Sequence, residues 1–454
     1  MKAFSKVLTL TSIVAGLTAS VSLQAQEPQS VGDMSSYFEP GKSFVGDDLP
    51  QQADLQSSGY VGDLKALGGY VGDLALIEPT DHSTPLPITE SYSSAPTYSA
   101  PVARRGSVGK AMTRSPESWL SAELLLWFPE DRTSPLLVAS ANAGEIPLPG
   151  QPGYTELFGG SIDSGLQPGF RADAGRYFAD GQLGLGARLW FLTGADESFA
   201  AGGTSGRSLG LRFFDTSANA ENAFLVLLDP NLDGRLSVES ELDIVASELY
   251  AKALFMEGSD YRVELVGGYS YFNIEDSLSI NSSRTNTVTG RVVDVRDRFE
   301  ATNNFHGGQI GFQTSIHKGP ISLTSLTKVH MGNMRQLVNI NGAGQRRFLG
   351  VPGVETFDTG LYTVGTEGRA RQNEFAFAPE ANFKLGYRMR NYVNFTVGYS
   401  FIYWNRVALS GDQFDGLVDQ SRFQNPLAPP PQLPTVKDRG FFVHGIDFGV
   451  TIDY

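Results

Sequence analysis

Charged side chains occupy alternate positions within short apolar stretches of this sequence, and this spacing indicates chemistry inside a polar cavity. In an extended strand, side chains at every second position lie on the same face. Cations and anions on opposite walls of a water-filled constriction create a transverse field that selects polar solutes by charge and size. The same groups can instead pair with one another and brace a filled interior. The candidate residues are Glu123, Arg171, Asp173, Arg188, Arg212, Glu248, Lys252, Arg262, Glu264, Glu380, Lys384 and Arg388.

A second candidate site is a segment that matches the first half of a calcium-binding loop. Asp229, Asn231 and Asp233 alternate and are followed by Gly234, as in loops that bind calcium through carboxylate and amide oxygens. The second half of the pattern fails, because Ser240 stands where a bidentate Glu is required. We therefore expect an Asx-rich turn here, with a calcium site as the weaker alternative.

The sequence offers little for catalysis. The absence of cysteine excludes thiol nucleophiles, disulfides and thiolate metal sites, and there are only five histidines. His444 has the parity of an outward-facing residue, but no serine with a clear orienting partner shares its face. No phosphate-binding loop, zinc helix or dinucleotide fingerprint occurs. We expect neither an enzyme nor a bound cofactor, and the formal net charge of −14 argues against a nucleic-acid partner.

The elements that carry the charged residues are predicted to be strands of a closed barrel. Beyond residue 117 the chain consists of segments of about ten residues in which one alternate set is uniformly apolar, as in 182–192 and 392–404. This pattern is typical of strands with one face in lipid and the other in a polar lumen. The predicted fold is all-β, a closed antiparallel transmembrane barrel over residues 118–454. It has about twelve strands, with roughly ten to sixteen possible, and the twelve include 209–213 and 222–228.

The gaps between these segments alternate in length, as in outer-membrane barrels with short periplasmic turns and long outer loops. Both ends of the barrel region are therefore predicted to lie in the periplasm. Because twelve strands exceed the roughly eight whose side chains just fill a barrel, a water-containing lumen is geometrically possible. The long gaps are 129–167, 193–206, 229–245, 274–304, 333–373 and 405–439, and the short ones are 179–181, 257–260, 317–319 and 389–391, with 215–221 the longest of the inner group.

The chain before the barrel divides into two parts. Residues 1–25 are predicted to form a secretory signal peptide, because Lys2 and Lys6 precede an apolar run that is short for a spanning helix. Residues 26–117 are rich in Ser, Pro, Gly, Gln and Asp without a sustained period, which predicts a disordered periplasmic tether. Val-Gly-Asp recurs in the tether, either as a duplicated spacer or as a motif that a periplasmic or cell-wall partner binds repeatedly. The repeats begin at Val31, Val45, Val61 and Val71.

At alternate positions from 297 to 311 the sequence has Asp, Phe, Ala, Asn, Phe, Gly, Gln and Gly. With supporting segments at 119–127, 377–380, 398–400 and 411–415, the region 118–454 resembles the beta-barrel porin-7 family. Ala301 is a departure, since the family usually has Thr there. The resemblance implies an outer-membrane barrel of uncharacterised cargo. The last strand also looks like the signal read by barrel-assembly machinery, formed by Phe448, Val450, Ile452 and Tyr454.

Two functions are consistent with these observations. The first is a porin-like channel in the outer membrane for passive diffusion of small polar solutes, exported through the cleaved signal peptide. The alternative is a non-conducting barrel with a structural, surface or wall-anchoring role. In both cases the expected partners are outer-membrane lipid and the barrel-assembly machinery, with a further periplasmic or cell-wall partner for residues 26–117.

Overall fold

The computed structural model describes residues 118–453 apart from 195, 204–205, 391 and 425–430. The expected signal peptide and tether, residues 1–117, and Tyr454 of the expected assembly signal therefore lie outside the described residues. Within the described part of the chain, no helix has the length and apolarity needed to cross a membrane.

Most of the described chain is β-strand, and the short helical elements are a 3-10 helix at Ser410–Gln413 and α1, Ser421–Gln424. The alternating sequence pattern explains this, because a period of two places one side-chain set on each face of a sheet. The strands are β1 Ser118–Pro129, β2 Arg132–Asn142, β3 Thr155–Ile162, β4 Gln167–Phe178, β5 Leu183–Leu192, β6 Glu197–Gly202, β7 Arg207–Asp215, β8 Ala220–Leu227, β9 Leu232–Glu257, β10 Tyr261–Asn286, β11 Arg291–Lys318, β12 Ile321–Phe348, β13 Glu355–Phe357, β14 Gly368–Arg390, β15 Val393–Val407, β16 Leu417–Val418 and β17 Arg439–Asp453.

Ten of these strands form a closed antiparallel ring, which confirms the predicted barrel. The order around the ring is β9, β10, β11, β12, β14, β15, β17, β1, β4 and β5, and β5 pairs again with β9. Trp119 of the first strand lies opposite Asp453 of the last. Closure leaves no free edge in the ring, so every strand can satisfy its backbone groups within the hydrocarbon. The ring size falls at the lower end of the predicted range.

Two of the segments predicted as barrel strands belong to a second sheet. The segments 209–213 and 222–228 contribute to β7 and β8, which join β2, β3 and β16 in a separate five-stranded sheet. We call this second sheet the accessory sheet. The apolar set predicted to face lipid here is buried instead, because it packs within the protein. Leu209, Leu211 and Phe213 are between 0% and 4% exposed.

The outward face of the ring has the predicted apolar set. Large exposed side chains alternate along its strands, including Leu185, Leu249, Phe383 and Val397. These side chains form a lipid-facing band whose outer edge carries aromatic and histidine contacts. The Tyr269 hydroxyl lies 2.6 Å from Nδ1 of His306, and Tyr399 makes the same kind of bond to His444. Such amphipathic aromatic groups are enriched at membrane–water interfaces.

Four strands continue beyond the band, so most of the predicted long loops 229–245 and 274–304, and the first part of 333–373, are strands instead. The strands β9 to β12 are 26 to 28 residues long, far more than a bilayer requires. The ladder between β10 and β11 runs without a break through the segment 274–304. Alternation persists there, but the outward set becomes polar, for example at Glu275, Ser277 and Arg298. The sequence pattern of a lipid-facing strand therefore ends before the strand does.

Three of the outer connections fold inward against these long strands. Arg132 at the start of β2 is buried and contacts Asp276 of β10. The segment 360–363 lies on Asp297 of β11, and the segment that follows β15 places Leu409 and Ser410 in the interior. The outer half of the barrel is therefore filled by its own loops and by the accessory sheet.

Candidate functional site: the barrel interior

The structure places the candidate charged residues in the barrel interior with one exception. Arg212 lies on β7 of the accessory sheet, where its guanidinium bonds the Tyr154 hydroxyl and the Glu221 carboxylate. The sequence misassigned Arg212 because a strand in a packed sheet alternates with the same period as a membrane strand. The other candidates lie on the inward side of ring strands: Glu123, Arg171, Asp173, Arg188, Glu248, Lys252, Arg262, Glu264, Glu380, Lys384 and Arg388.

One cluster is organised around the guanidinium of Arg171 on β4. Its Nε lies 2.6 Å from Oε2 of Glu123, and its Nη2 lies 2.7 Å from Oδ2 of Asp447. The Lys384 ammonium pairs with the other oxygen of Glu123. Ser400 and Trp127 also donate hydrogen bonds to Asp447. Because each charge has opposite partners and hydrogen bonds, the cluster can remain ionised while buried.

A second cluster joins opposite sides of the ring. Arg188 on β5 donates from Nε to Oδ2 of Asp173 at 2.8 Å, and its Nη1 lies 3.5 Å from Oε1 of Glu380 on β14. In the ring order, β5 and β14 lie opposite each other, so this contact crosses the lumen. Lys328 links the same Glu380 to Glu248 on β9. The two clusters form what we call the ion-pair layer.

The ion-pair layer is balanced and largely buried. Its cations are interleaved with its anions, so it does not separate charge onto two walls as a transverse field requires. Side-chain exposures of Lys328 and Glu248 are 1% each, and those of Arg171 and Asp447 are 3% and 2%. A solute path beside these groups would leave them accessible to water. The anions are Glu123, Asp173, Glu248, Glu380 and Asp447, and they are balanced by Arg171, Arg188, Lys328 and Lys384 together with Lys252 from the periplasmic end of the interior.

Toward the outer end, aromatic side chains meet across the lumen. Phe272 of β10 packs edge-on against Trp404 of β15, with ring centroids 5.6 Å apart, although three strands separate β10 from β15 on the shorter way around the ring. Trp190 contacts both Phe272 and Trp127, and Trp404 stacks on Phe441. Each of these five side chains is at most 2% exposed. We call them the aromatic layer.

The periplasmic end of the interior contains a more open group of charges. Arg262 donates from Nε to Oε1 of Glu264 at 2.9 Å and lies over the ring of Tyr177. The ammonium of Lys252 lies 4.5 Å from the ring centroid of Trp119, within the range of a cation–π contact. Arg388 lies at the same end of the barrel on β14. These contacts brace the wall where the barrel meets the periplasm.

A serine, a histidine and a carboxylate are aligned in the interior. The Ser270 hydroxyl lies 2.8 Å from Nδ1 of His330, and Nε2 of His330 lies 3.1 Å from Oε2 of Glu380. This order of groups occurs in nucleophilic catalysis. Here Ser270 and His330 are each 0% exposed, and Lys328 lies 3.1 Å from the same carboxylate oxygen. No substrate can reach the hydroxyl in this arrangement, so the three groups extend the ion-pair layer.

The calcium candidate forms a turn between β8 and β9. Asp229, Asn231 and Asp233 are exposed, and Asn231 N–H donates to the carbonyl of Leu228 at 2.7 Å. A calcium loop must wrap around the ion over its whole length, but the chain enters the extended strand β9 at Leu232. Among the residues that the structure describes, no group of three or more His, Asp or Glu side chains could hold a metal ion.

The outer connections are held to the wall by buried polar contacts. The Asn303 side chain exchanges two hydrogen bonds with the backbone of Ala408, both 2.8 Å long. Further out on β11, beyond the lipid-facing band, the Asp297 carboxylate accepts backbone N–H bonds from Leu361, Tyr362 and Thr363. Burial raises the pKa of Asp297 to about 6, against these donors, which favour the ionised form.

An open groove lies on the outward side of the long strands, above the band. Its volume is about 1070 Å³, and strands β6 and β9 to β13 line it. Arg235 and Arg296 are exposed along it, whereas Leu236 and Val295, which point to the other face, are buried. The groove is lined largely by small residues, and its lining combines apolar and polar groups.

Two charged residues of the interior were missed by the sequence analysis. Asp447 and Lys328 are buried members of the two clusters, and both have inward parity on ring strands. Parity could have identified Asp447, because it lies between the outward apolar residues Ile446 and Phe448. Lys328, in contrast, follows Thr327 and gives a weaker signal. Of the predicted assembly signal, Phe448, Val450 and Ile452 lie on the outward side of β17, and their role as a signal stays a prediction.

Comparison with known proteins identifies a family. No curated protein matches this sequence significantly. Similar solved structures include the outer membrane protease OmpT from Escherichia coli, with 10% identity over 74% of this chain and 97% of that chain and a TM-score of 0.33. A Pseudomonas aeruginosa FadL homologue has 8% identity over 75% and 90% of the two chains and a TM-score of 0.19. The P. putida toluene transporter TodX has 7% identity over 74% and 90%, with a TM-score of 0.20.

At these TM-scores the solved structures add nothing to the assignment. The family described as "Putative beta barrel porin-7 (BBP7)" matches residues 119–454, which is most of the chain and the whole described barrel. This match agrees with the ring of strands and with the lipid-facing band. The protein therefore belongs to the beta barrel porin-7 family and is an outer-membrane β-barrel.

Proposed function

We propose that this protein is a non-conducting outer-membrane barrel that anchors an extracellular cap, rather than an open porin. The cap consists of the outer parts of β9 to β12 together with the accessory sheet. The single observation that carries the proposal is the contact between Phe272 and Trp404 across the lumen. Two rings in van der Waals contact across a barrel leave no room for a hydrated solute between them.

The layers on either side of this contact support the same conclusion. On the periplasmic side, the Arg188–Glu380 contact crosses the ring. On the outer side, Arg132 and the segment around Leu409 and Ser410 fill the interior. A channel would need all three obstacles to move together. The cap presents the groove to the exterior, which makes surface attachment or recognition the natural role of such a barrel.

Passive diffusion of small polar solutes is the second candidate function. The observation in its favour is the charge content of the interior, since a purely structural barrel can be filled with apolar residues at lower desolvation cost. On this hypothesis the charged side chains of the ion-pair layer would line the path after a rearrangement of the outer loops. Export through the predicted signal peptide and insertion into the outer membrane are common to both proposals.

Planar-bilayer recording separates the two functions. The full-length mature protein is reconstituted, and insertion is verified by heat-dependent electrophoretic mobility, which reports an intact barrel. We expect no stepwise current at high salt and high voltage. A double variant, Trp127→Ala with Trp404→Ala, removes two rings of the aromatic layer and serves as a control with a wider lumen. Reproducible stepwise conductance from the unmodified barrel, abolished by heat denaturation, would reject the sealed barrel.

A further inference from the structure

The outward face of three adjacent strands changes from apolar to polar at one height. His306 of β11 lies opposite Asn333 of β12, which lies opposite Phe375 of β14. On the periplasmic side of this row, the outward residues are large and apolar, including Ile310 and Phe377. The row therefore marks the outer limit of the hydrocarbon, and residues just beyond it lie at the level of lipid headgroups.

Three arginines occupy the outward positions just beyond this limit. Arg335 lies on β12, and Arg369 and Arg371 lie on β14, all with exposed side chains. Arg335 is opposite Asn373, and Arg371 is opposite Leu337, so the two arginines are diagonal neighbours across the ladder. Diagonal neighbours on one face of a sheet lie about 7–8 Å apart, within reach of long side chains. The guanidinium groups of Arg335 and Arg371 can therefore converge on one anionic group, and Arg369 lies two residues further along the same face of β14.

No carboxylate in the described part of the chain pairs with these arginines. Two other arginines of the outer wall do have carboxylate partners: Arg298 pairs with Glu300 at 2.7 Å, and Arg347 pairs with Asp294 at 2.5 Å. Within this group of arginines, Nε of Arg369 donates a hydrogen bond to Oδ1 of Asn339 at 3.3 Å. A cluster of unpaired cations in a chain of net charge −14 repels itself without a counter-charge, and the nearest source outside the protein is the membrane surface.

The arrangement around Arg369 holds it in place. Asn339 donates from Nδ2 to Oε2 of Glu300 at 2.8 Å, and this fixes the amide so that its oxygen faces Arg369. Arg298 satisfies the other oxygen of the same carboxylate. Glu300 is thereby occupied by two donors on its own side of the sheet. It is linked to Arg369 only through the Asn339 amide.

The apolar surface continues directly below the arginines. Phe375 and Phe377 are 66% and 42% exposed and lie on the same face of β14 as Arg371. A ligand that fits this surface has acyl chains along the aromatic side chains and an anionic group at the arginines. Arginine recognises phosphate through paired N–H donors, and basic clusters at a bilayer surface bind anionic headgroups.

We propose that Arg335, Arg369 and Arg371 form a binding site for the phosphorylated headgroup of an outer-leaflet lipid. The site lies on the outside of the wall and is independent of whether the barrel conducts. Each arginine contributes charge, and the diagonal pair of Arg335 and Arg371 contributes bidentate contacts. Phe375 and Phe377 contact the upper part of the acyl chains. The bound lipid would be retained by the protein during extraction from the membrane.

The test compares lipid binding by the full-length mature protein and two double variants. The probes are phosphatidylcholine vesicles that contain bisphosphorylated lipid A or its dephosphorylated form, and lipid that co-purifies in mild detergent is quantified by mass spectrometry. We expect preferential retention of the phosphorylated form, lowered about tenfold or more by Arg335→Gln with Arg371→Gln. The control, Arg235→Gln with Arg296→Gln, removes two exposed arginines further from the bilayer and should leave retention unchanged.

Three results would overturn the proposal. Equal retention of both lipid forms shows that phosphate is not recognised, and an equal loss in the control variant shows that only surface charge matters. Displacement of the lipid by inorganic phosphate at low millimolar concentration shows a site for free phosphate instead of a lipid. If the double variant does not fold, Arg335→Lys with Arg371→Lys keeps the charge, and a loss of retention there still reports the bidentate contacts.

Discussion

Replacement of Arg171 by methionine tests whether the interior is dry. The variant leaves Glu123 with Lys384 alone and Asp447 with neutral donors, because the guanidinium bonds both carboxylates at 2.6 and 2.7 Å. Both carboxylates are 2% exposed, so water does not replace the lost partner. Removal of one member of a buried, hydrogen-bonded ion pair costs about 3–5 kcal/mol. In a water-filled lumen the same change would cost about 0–1 kcal/mol, since solvent would screen the charges.

The assay is urea unfolding of the refolded barrel in detergent, followed by tryptophan fluorescence and by heat-dependent mobility. The matched control is Arg346→Met, which removes the partner of Glu355 in a half-exposed pair at the outer end of β12. This control should lower the free energy of unfolding by about 0–1 kcal/mol. A second variant, Arg171→Met with Asp447→Asn, removes one unpaired charge and should recover part of the loss. If Arg171→Met costs no more than the control, the interior is wet and the proposed sealed barrel is wrong.

Three further predictions concern the outer connections and the N-terminal region. Asn303→Ala removes both hydrogen bonds to Ala408 and should release the connection after β15, at a cost of about 1–3 kcal/mol in the free energy of unfolding. We expect faster proteolysis within 408–438, and an unchanged cleavage rate would contradict this prediction. Burial raises the pKa of Asp297 from its ordinary value of 3.8 to about 6 in the folded state. Between these pH values the folded state therefore binds more protons than the unfolded state, and the free energy of unfolding should fall as the pH rises from 4 to 6. Asp297→Asn should remove this part of the pH dependence, and equal slopes for both proteins refute it. Deletion of 26–117 behind the signal peptide should leave an intact barrel but abolish co-sedimentation with cell-wall polymer if the tether is an anchor, whereas retained co-sedimentation places attachment elsewhere.

The sequence predicted the lipid-facing strands because a bilayer requires the outward residues within it to be apolar. The set Leu183, Leu185, Ala187 and Leu189 was assigned correctly, as was the inward position of Arg188. The segment from Leu209 to Phe213 was counted as a barrel strand because it also alternates, but its alternation comes from packing within the protein. Amphipathic period alone does not distinguish lipid from a protein interior.

The sequence did not predict whether the barrel interior is open or filled. Parity placed Arg188 and Glu380 on inward faces, but their contact depends on which strands lie opposite each other in the closed ring. The same is true of Phe272 and Trp404, which are far apart in the chain. Asp276 and Arg132 meet only because an outer connection folds back into the barrel. Ring size and loop placement are tertiary properties that no local pattern encodes.

The uninterrupted passage of β9 to β12 from the membrane into the cap has a mechanical consequence. Their ladders, such as the one from Tyr261 to Thr285 between β10 and β11, contain no hinge between lipid and exterior. Because the hydrogen bonds of an antiparallel ladder run across the strands, a pull on the cap along the strand axis loads many of them in shear at once. Tension applied to the cap would therefore pass into the membrane through stiff, continuous strands, and the lipid around the barrel would yield before the protein did.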